Sequence, residues 1–245
     1  LNSFDINYGI IILLLTVLVR IILLPLTYGS FKSQAKMKVL QPEMAEINEK
    51  FKDDAMKKQQ EVMGLYKKAG VNPLGGCIPG LLQLPILIAM FRFFPASIEL
   101  RQEPFLWAHD LSTYDSILNL PFTIPFYGAH VSLFTLLMTV STLIYTRMNM
   151  QMSSAMNPQM KWMMYLMPIL FLGFFNNYSA GLSYYYFLSN IFGFGQQYLF
   201  KAFVNEDAIH RQIQENKKKP VKKSGFQARL EQMAKDRGMQ PPKKR

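Results

Sequence analysis

The chain has 245 residues, half of them hydrophobic, and its Lys and Arg outnumber Asp and Glu by 27 to 16, a formal net charge of +11. A single cysteine, Cys77, excludes an internal disulfide framework and a multi-thiolate metal centre, and His109, His130 and His210 stand too far apart for metal-ligand spacing. Charges are segregated from long apolar runs, which excludes one soluble core and points to membrane spans.

The chain opens at Leu1 rather than Met, which sets the expectation of further sequence upstream. Residues 8–28 form the first apolar run, interrupted by one charge, Arg20. At about 1.5 Å per residue it is long enough to cross a hydrocarbon core. Residues 29–75 turn polar, yet Met37, Leu40, Met44, Ile47 and Phe51 recur at alternating steps of three and four, the period of a coiled-coil seam. Asp53 and Asp54 offer a turn and a helix N-cap. Met56, Val62, Met63 and Tyr66 then continue an apolar stripe as far as Gly70, with Asn72 and Pro73 beyond. This segment predicts an antiparallel helical hairpin outside the membrane.

Residues 78–94 make a second span, kinked by Pro79 and Pro85 and carrying Gln83. Residues 95–129 hold too many prolines to span and enough aromatics, Phe105 and Trp107 among them, to rest at a membrane interface. Residues 130–145 form the third span, followed by a Met-rich polar link. The last two spans, residues 162–176 and 182–200, are joined by a tight turn at residues 177–181. Residues 201–245 read as a basic tail, largely disordered, with a short amphipathic helix from Phe226 through Leu230 to Met233. The predicted fold is therefore an all-α, multi-pass membrane protein. Its units are a first span (1–28), a helical hairpin (29–75), spans two to five with the interfacial segment 95–129 (76–200), and the tail (201–245).

Orientation follows from the lysines. The hairpin and the tail are Lys-rich, whereas Arg101 in the 95–129 segment faces Glu99, Glu103, Asp110 and Asp115. With five spans the hairpin and the tail share a side, and the positive-inside rule makes that side, with the C-terminus, cytoplasmic.

Arg20 is the residue that demands an explanation, because an arginine near the centre of a spanning helix costs about 2.5–3.5 kcal/mol even on the lenient insertion scale. Snorkelling hydrates it only in part from a depth of about 12 Å below residue 28. A buried ion pair would need a carboxylate, and no Asp or Glu lies in any other apolar run. That favours a water-filled, cationic cavity. Thr16, one helical turn away, and Gln83, Tyr185, Tyr186, Ser189 and Asn190 are the other polar groups that could line it. Taken singly, each is more commonly an interhelical hydrogen-bonding group. Such a groove would perform transfer without covalent chemistry, cofactor or metal, attracting a polar chain segment while the adjoining apolar segment partitions into lipid. Two other readings stand beside it. An intramembrane protease would use Ser183 or Ser189 but needs a base within reach, and His130 lies at the far end of another span. A small transporter or channel subunit would normally carry internal repeats, and none is found.

Several stretches resemble the YidC insertase family of bacteria. They are Val19, Arg20 and Pro25 to Thr27; Met37 to Pro42 (MKVLQP); Val71 to Cys77 (VNPLGGC); and Gln83 with Pro85. Glu99 to Gln102 (ELRQ), Trp107 to Ser112 (WAHDLS), Met167 with Pro168, and Gly181 to Asn190 (GLSYYYFLSN) complete the series. The resemblance implies a five-helix core in the bacterial inner membrane, a cytoplasmic hairpin, and a hydrophilic groove closed toward the outside in which Arg20 acts on some substrates. It also implies that Thr16 and Tyr186 contact the inserting chain. The implied partners are nascent membrane proteins, the lipid bilayer, the Sec translocon, and the ribosome through the basic tail, with no small-molecule substrate and no cofactor. Bacterial relatives with an outer membrane carry an extra N-terminal helix and a large periplasmic domain.

Overall fold

The computed structural model describes residues 6–52, 54–72, 75, 78–151 and 158–218. Cys77 and the segment from Phe226 to Met233 lie outside them.

Helix α1, Tyr8–Val39, is capped at its start by the Asn7 side chain, which accepts from the Gly9 amide at 2.8 Å. It does not end near residue 28, as the change of polarity suggests, but continues for 32 residues. The reason is that polarity changes there without any backbone breaker. Phe31 and Tyr28 pack on Phe200 at 5.5 and 5.3 Å between ring centres, while Ala35 and Met37 are buried further on. The first true interruption is Leu40, followed by Pro42 in the opening turn of α2, Gln41–Lys50.

Helix α3, Ala55–Ala69, returns against α2. Asp54 caps it by accepting from the Lys57 amide at 2.9 Å, and Gly70 ends it in the left-handed region at φ 65°. Leu40, Met44, Tyr66, Ala69 and Val71 form a small core, with the Tyr66 hydroxyl donating to Met44 Sδ at 3.1 Å. Helices α2 and α3 pack on one another, and the seam from Met37 to Phe51 is divided at Leu40 between the end of α1 and α2.

The described part of the tail departs from the expectation of disorder. After helix α7 (Ala180–Phe203), residues Glu206–Lys218 form helix α8, which buries Ile209 and Ile213 in the hairpin core. Two isoleucines four apart give an otherwise charged segment one apolar edge, and the hairpin supplies the surface to cover it. Lys38–Glu206 at 2.8 Å, a Lys217–Glu43 ion pair, and Asn216 Nδ2 donating to the Ala69 carbonyl at 3.2 Å fasten both ends.

The remaining helices are α4 (Ile78–Ala96), α5 (Leu133–Gln151), α6 (Pro158–Asn176) and α7 (Ala180–Phe203). Helix α7 is central, packing along α5 and α1 and touching α4, while α6 packs on α5. Among the described residues α1 alone is long and apolar enough to cross a membrane by length and composition; α4 and α6 contain shorter apolar stretches, Gly80–Ala96 and Trp162–Asn176.

Between α4 and α5 the protein holds a single 3-10 turn, Ile98–Leu100, and then two strands, which the all-α reading lacks. Leu118–Ile124 (β1) and Gly128–Val131 (β2) pair as an antiparallel hairpin. Leu118, Leu120, Phe122 and Ile124 alternate with Asn119, Pro121 and Thr123, a period of two, and the prolines bar a helix. His130 therefore belongs to β2, and α5 begins three residues later than the third apolar run.

This layer between α4 and α5 is tied to the helix ends by buried polar groups. Asp115 accepts from Trp107 Nε1 at 2.9 Å, from the Ser132 hydroxyl, and from the Leu133 and Phe134 amides at 2.8 and 3.1 Å, so it caps α5 from a distant loop. Asn176 Nδ2 donates to the Tyr127 and His130 carbonyls at 3.0 and 2.8 Å, and its Oδ1 accepts from the Ser132 amide at 2.9 Å. The Ala180 and Gly181 amides, which open α7, donate to the carbonyls of Thr113 and Leu111. Gly181 is needed there, since a Cβ would stand 2.9 Å from Phe94.

Candidate functional site

The site is built where the middle of α1 meets α7. On α7, Tyr185, Ser189, Gly193 and Gln196 recur at steps of four, four and three and so share one face. Arg20 lies against that face, half-buried. Its guanidinium donates to the Ser189 backbone carbonyl and, at 3.5 Å, to Gln196 Oε1, while Gln196 Nε2 donates to the Arg20 carbonyl at 3.5 Å. Gly193 makes the approach possible. A Cβ there would stand 3.0 Å from the Tyr145 ring and 3.5 Å from Arg20 Nη2. Among the described residues no carboxylate pairs with Arg20; the ion pairs are Lys38–Glu206, Lys57–Asp54 and Lys217–Glu43, all in or beside the hairpin.

The other expected residues divide into three groups. Ser189 and Tyr185 are buried beside Arg20, the tyrosine at ring-centre distances of 6.2 Å from Phe94 and 5.3 Å from Tyr186. Tyr186 turns toward α4 and α6. Its hydroxyl is buried beside the Gln83 side chain, and its ring lies 6.2 Å from Phe175. Asn190 faces α5, donating to Ser141 and Thr142 hydroxyls at 2.9 and 2.8 Å, and Gln197 repeats the pattern lower down with Asn149 at 2.7 Å. Thr16 is fully buried, and its hydroxyl donates to its own helix at Ile12, 2.7 Å away. The polar residues thus converge on α7 but do not all point into one space.

Gln196, Gly193 and Tyr145 were not evident from composition, although the 185, 189, 193 and 196 spacing in the last apolar run carries the signal. Arg92 is a further cation inside the second apolar run, exposed about one turn from the end of α4, where a long side chain can reach an interface. The serine and histidine of the protease reading have separate partners. Ser183 shares a hydrogen bond with Thr135 at 3.1 Å, and His130 Nε2 bonds the Asn176 carbonyl at 2.8 Å while its ring stacks on Tyr114.

The sequence signature of the 60Kd inner membrane protein family matches residues 1–207. The chain belongs to this family. Within the 60Kd inner membrane protein family it is 52% identical over 241 residues to the membrane protein insertase YidC of Parabacteroides distasonis, covering 95% of this chain and 38% of that relative. It is 53% identical over 227 residues to that of Amoebophilus asiaticus (92% and 38%) and 50% identical over 243 residues to that of Bacteroides fragilis (96% and 39%). The chain therefore spans about two fifths of the length of these relatives. A crystal structure of an active YidC insertase with its first transmembrane domain resolved superposes with a TM-score of 0.58 at 28% identity, covering 79% of this chain and 42% of that one.

Proposed function

We propose that this chain is the inserting core of a membrane protein insertase, acting without covalent chemistry on nascent membrane proteins in a bacterial inner membrane. The observation that carries the reading is Arg20: a partly buried guanidinium in the one helix that, among the described residues, is long and apolar enough to cross a membrane, held by a carbonyl and an amide, with no carboxylate to neutralise it among those residues. Such a cation is stable in a bilayer when it faces water or a polar guest. In this reading α1, α4, α5, α6 and α7 are the five spans, and α2, α3, α8 and the C-terminus are cytoplasmic. The Lys-rich hairpin and the acidic 95–129 segment support that orientation. Arg20, Thr16, Gln83, Tyr185, Tyr186, Ser189 and Asn190 belong to the groove and its wall.

A polar terminus enters from the cytoplasm, exchanges water for the guanidinium and neighbouring hydroxyls, and crosses a shortened apolar path. Burial of the following apolar segment in lipid drives the step at about 25 cal/mol per Å². A membrane potential adds about 2.3 kcal/mol per charge per 100 mV for an acidic terminus leaving a negative interior.

Reconstituted liposomes test this directly. Arg20→Ala slows insertion of a small substrate with an acidic external tail severalfold, and Arg20→Lys retains most of it, because charge matters more here than the forked donor. Photocrosslinkers at positions 20, 83 and 186 should capture the stalled chain. Unchanged insertion by Arg20→Ala together with no capture from any of the three positions would overturn the proposal.

A further inference from the structure

The β1–β2 hairpin presents apolar side chains that none of the described residues covers. Phe126 at its tip is 97% exposed, Phe122 60% and Leu118 57%. No Asp, Glu, Lys or Arg occurs between Asp115 and Arg147, so this surface also lacks the charge that keeps an exposed strand edge in water. Its position relative to α6 is fixed. The Phe126 carbonyl lies so close to Gly173 that a Cβ there would stand 2.9 Å from it, and Asn177 Nδ2 and Asn176 Nδ2 both donate to the Tyr127 carbonyl. Gly173 lies three residues before the end of α6, about 4.5 Å inward along the axis. Beside it the outer surface of α6 exposes Leu170, Phe171 and Phe174.

From this geometry we infer that the hairpin is a membrane-dipping element whose tip enters the extracytoplasmic leaflet beside α6, with acyl chains covering Phe122 and Phe126. The partner is lipid rather than protein because the exposed strand surface is uncharged and continuous with the apolar outer face of α6, and because the tip is pinned one turn inside that helix's end. The inference rests on α6 being a span. It differs from mere surface lying: the tip sits below the plane of the helix ends, at the depth where aromatic rings partition favourably.

The test is a spin label at Phe126→Cys, and separately at Phe122→Cys, in the full chain carrying Cys77→Ser and reconstituted in liposomes. Collision with oxygen and with a water-soluble nickel chelate reports depth. Leu170→Cys on α6 serves as the lipid reference and Lys57→Cys on the cytoplasmic hairpin as the water reference. The expected result is an oxygen-to-nickel ratio at 126 severalfold above that at 57 and close to that at 170. Nickel-dominated collision at 126 with oxygen dominating at 170 overturns the inference and leaves α6 as a span. Nickel dominating at both positions overturns the span itself, and the inference with it.

Discussion

Arg20 is held by groups that carry no formal charge, and this neutrality distinguishes a cation poised for a guest from one locked in an ion pair. A pair with Asp or Glu would have compensated the charge at the cost of its availability. Space around the guanidinium is equally constrained. Gly193→Leu would drive a side chain into Tyr145 and Arg20 and should destabilise the protein by about 1–3 kcal/mol, seen as a lower Tm in detergent. Asp115 shows the opposite use of a charged group. It is 2% exposed and satisfies an indole, a hydroxyl and two helix-end amides. Asp115→Ala would strand these donors and should cost on the order of 3 kcal/mol, measurable by the same thermal unfolding. In the sequence Asp115 reads as one more solvated acid of an interfacial segment. Its burial depends on Trp107, Ser132 and the start of α5 meeting in space, which no local pattern encodes.

At the scale of elements, α8 acts as a clasp joining the end of α7 to the α2–α3 hairpin. Its ion pair with Lys38 holds the Glu206 carboxyl below its ordinary value of 4.5. The pair therefore stabilises the clasp above that value, and the contribution is lost as pH falls through the lowered folded-state value. Both side chains are about half exposed, so the amount is below about 1 kcal/mol. The protection factors for hydrogen exchange across Glu206–Lys218, referred to the intrinsic rate at each pH, should fall between pH 6 and pH 3, and Lys38→Met should remove most of the change. Ile213→Asp is expected to do more, releasing α8 and exposing the hairpin core to protease, because it places a charge at a position 1% exposed. The clasp was illegible in sequence because Ile209 and Ile213 are only two apolar residues in a charged run, whereas the hairpin was legible from a seam of five and two helix caps. The β-hairpin is hard to see in the sequence for a different reason: its prolines mark it as a break between spans, and the alternation of Leu118, Leu120, Phe122 and Ile124 lasts only seven residues.

For the whole molecule, apolar runs locate α4 to α7 to within several residues, since hydrophobic length is a local property of the chain. They do not show which polar face meets which helix. The site is only partly legible for the same reason: Arg20 announces itself by its cost, while the turn of Asn190 toward α5 and of Thr16 into its own helix depends on packing. The basic tail gives a prediction at this scale. Truncation after Lys218 leaves the clasp intact, so it should preserve the unfolding temperature. Truncation after Val204 should lower it.

One continuous rod, α1, runs from the layer between α4 and α5 to the base of the hairpin, about 48 Å at helical rise, with its first joint at Leu40. Pro25 removes one rung of its ladder a turn beyond Arg20, freeing the Ile21 carbonyl and giving the rod a single place to flex. A pull on the base of the hairpin would therefore meet that open rung before it reaches the turn that carries Arg20.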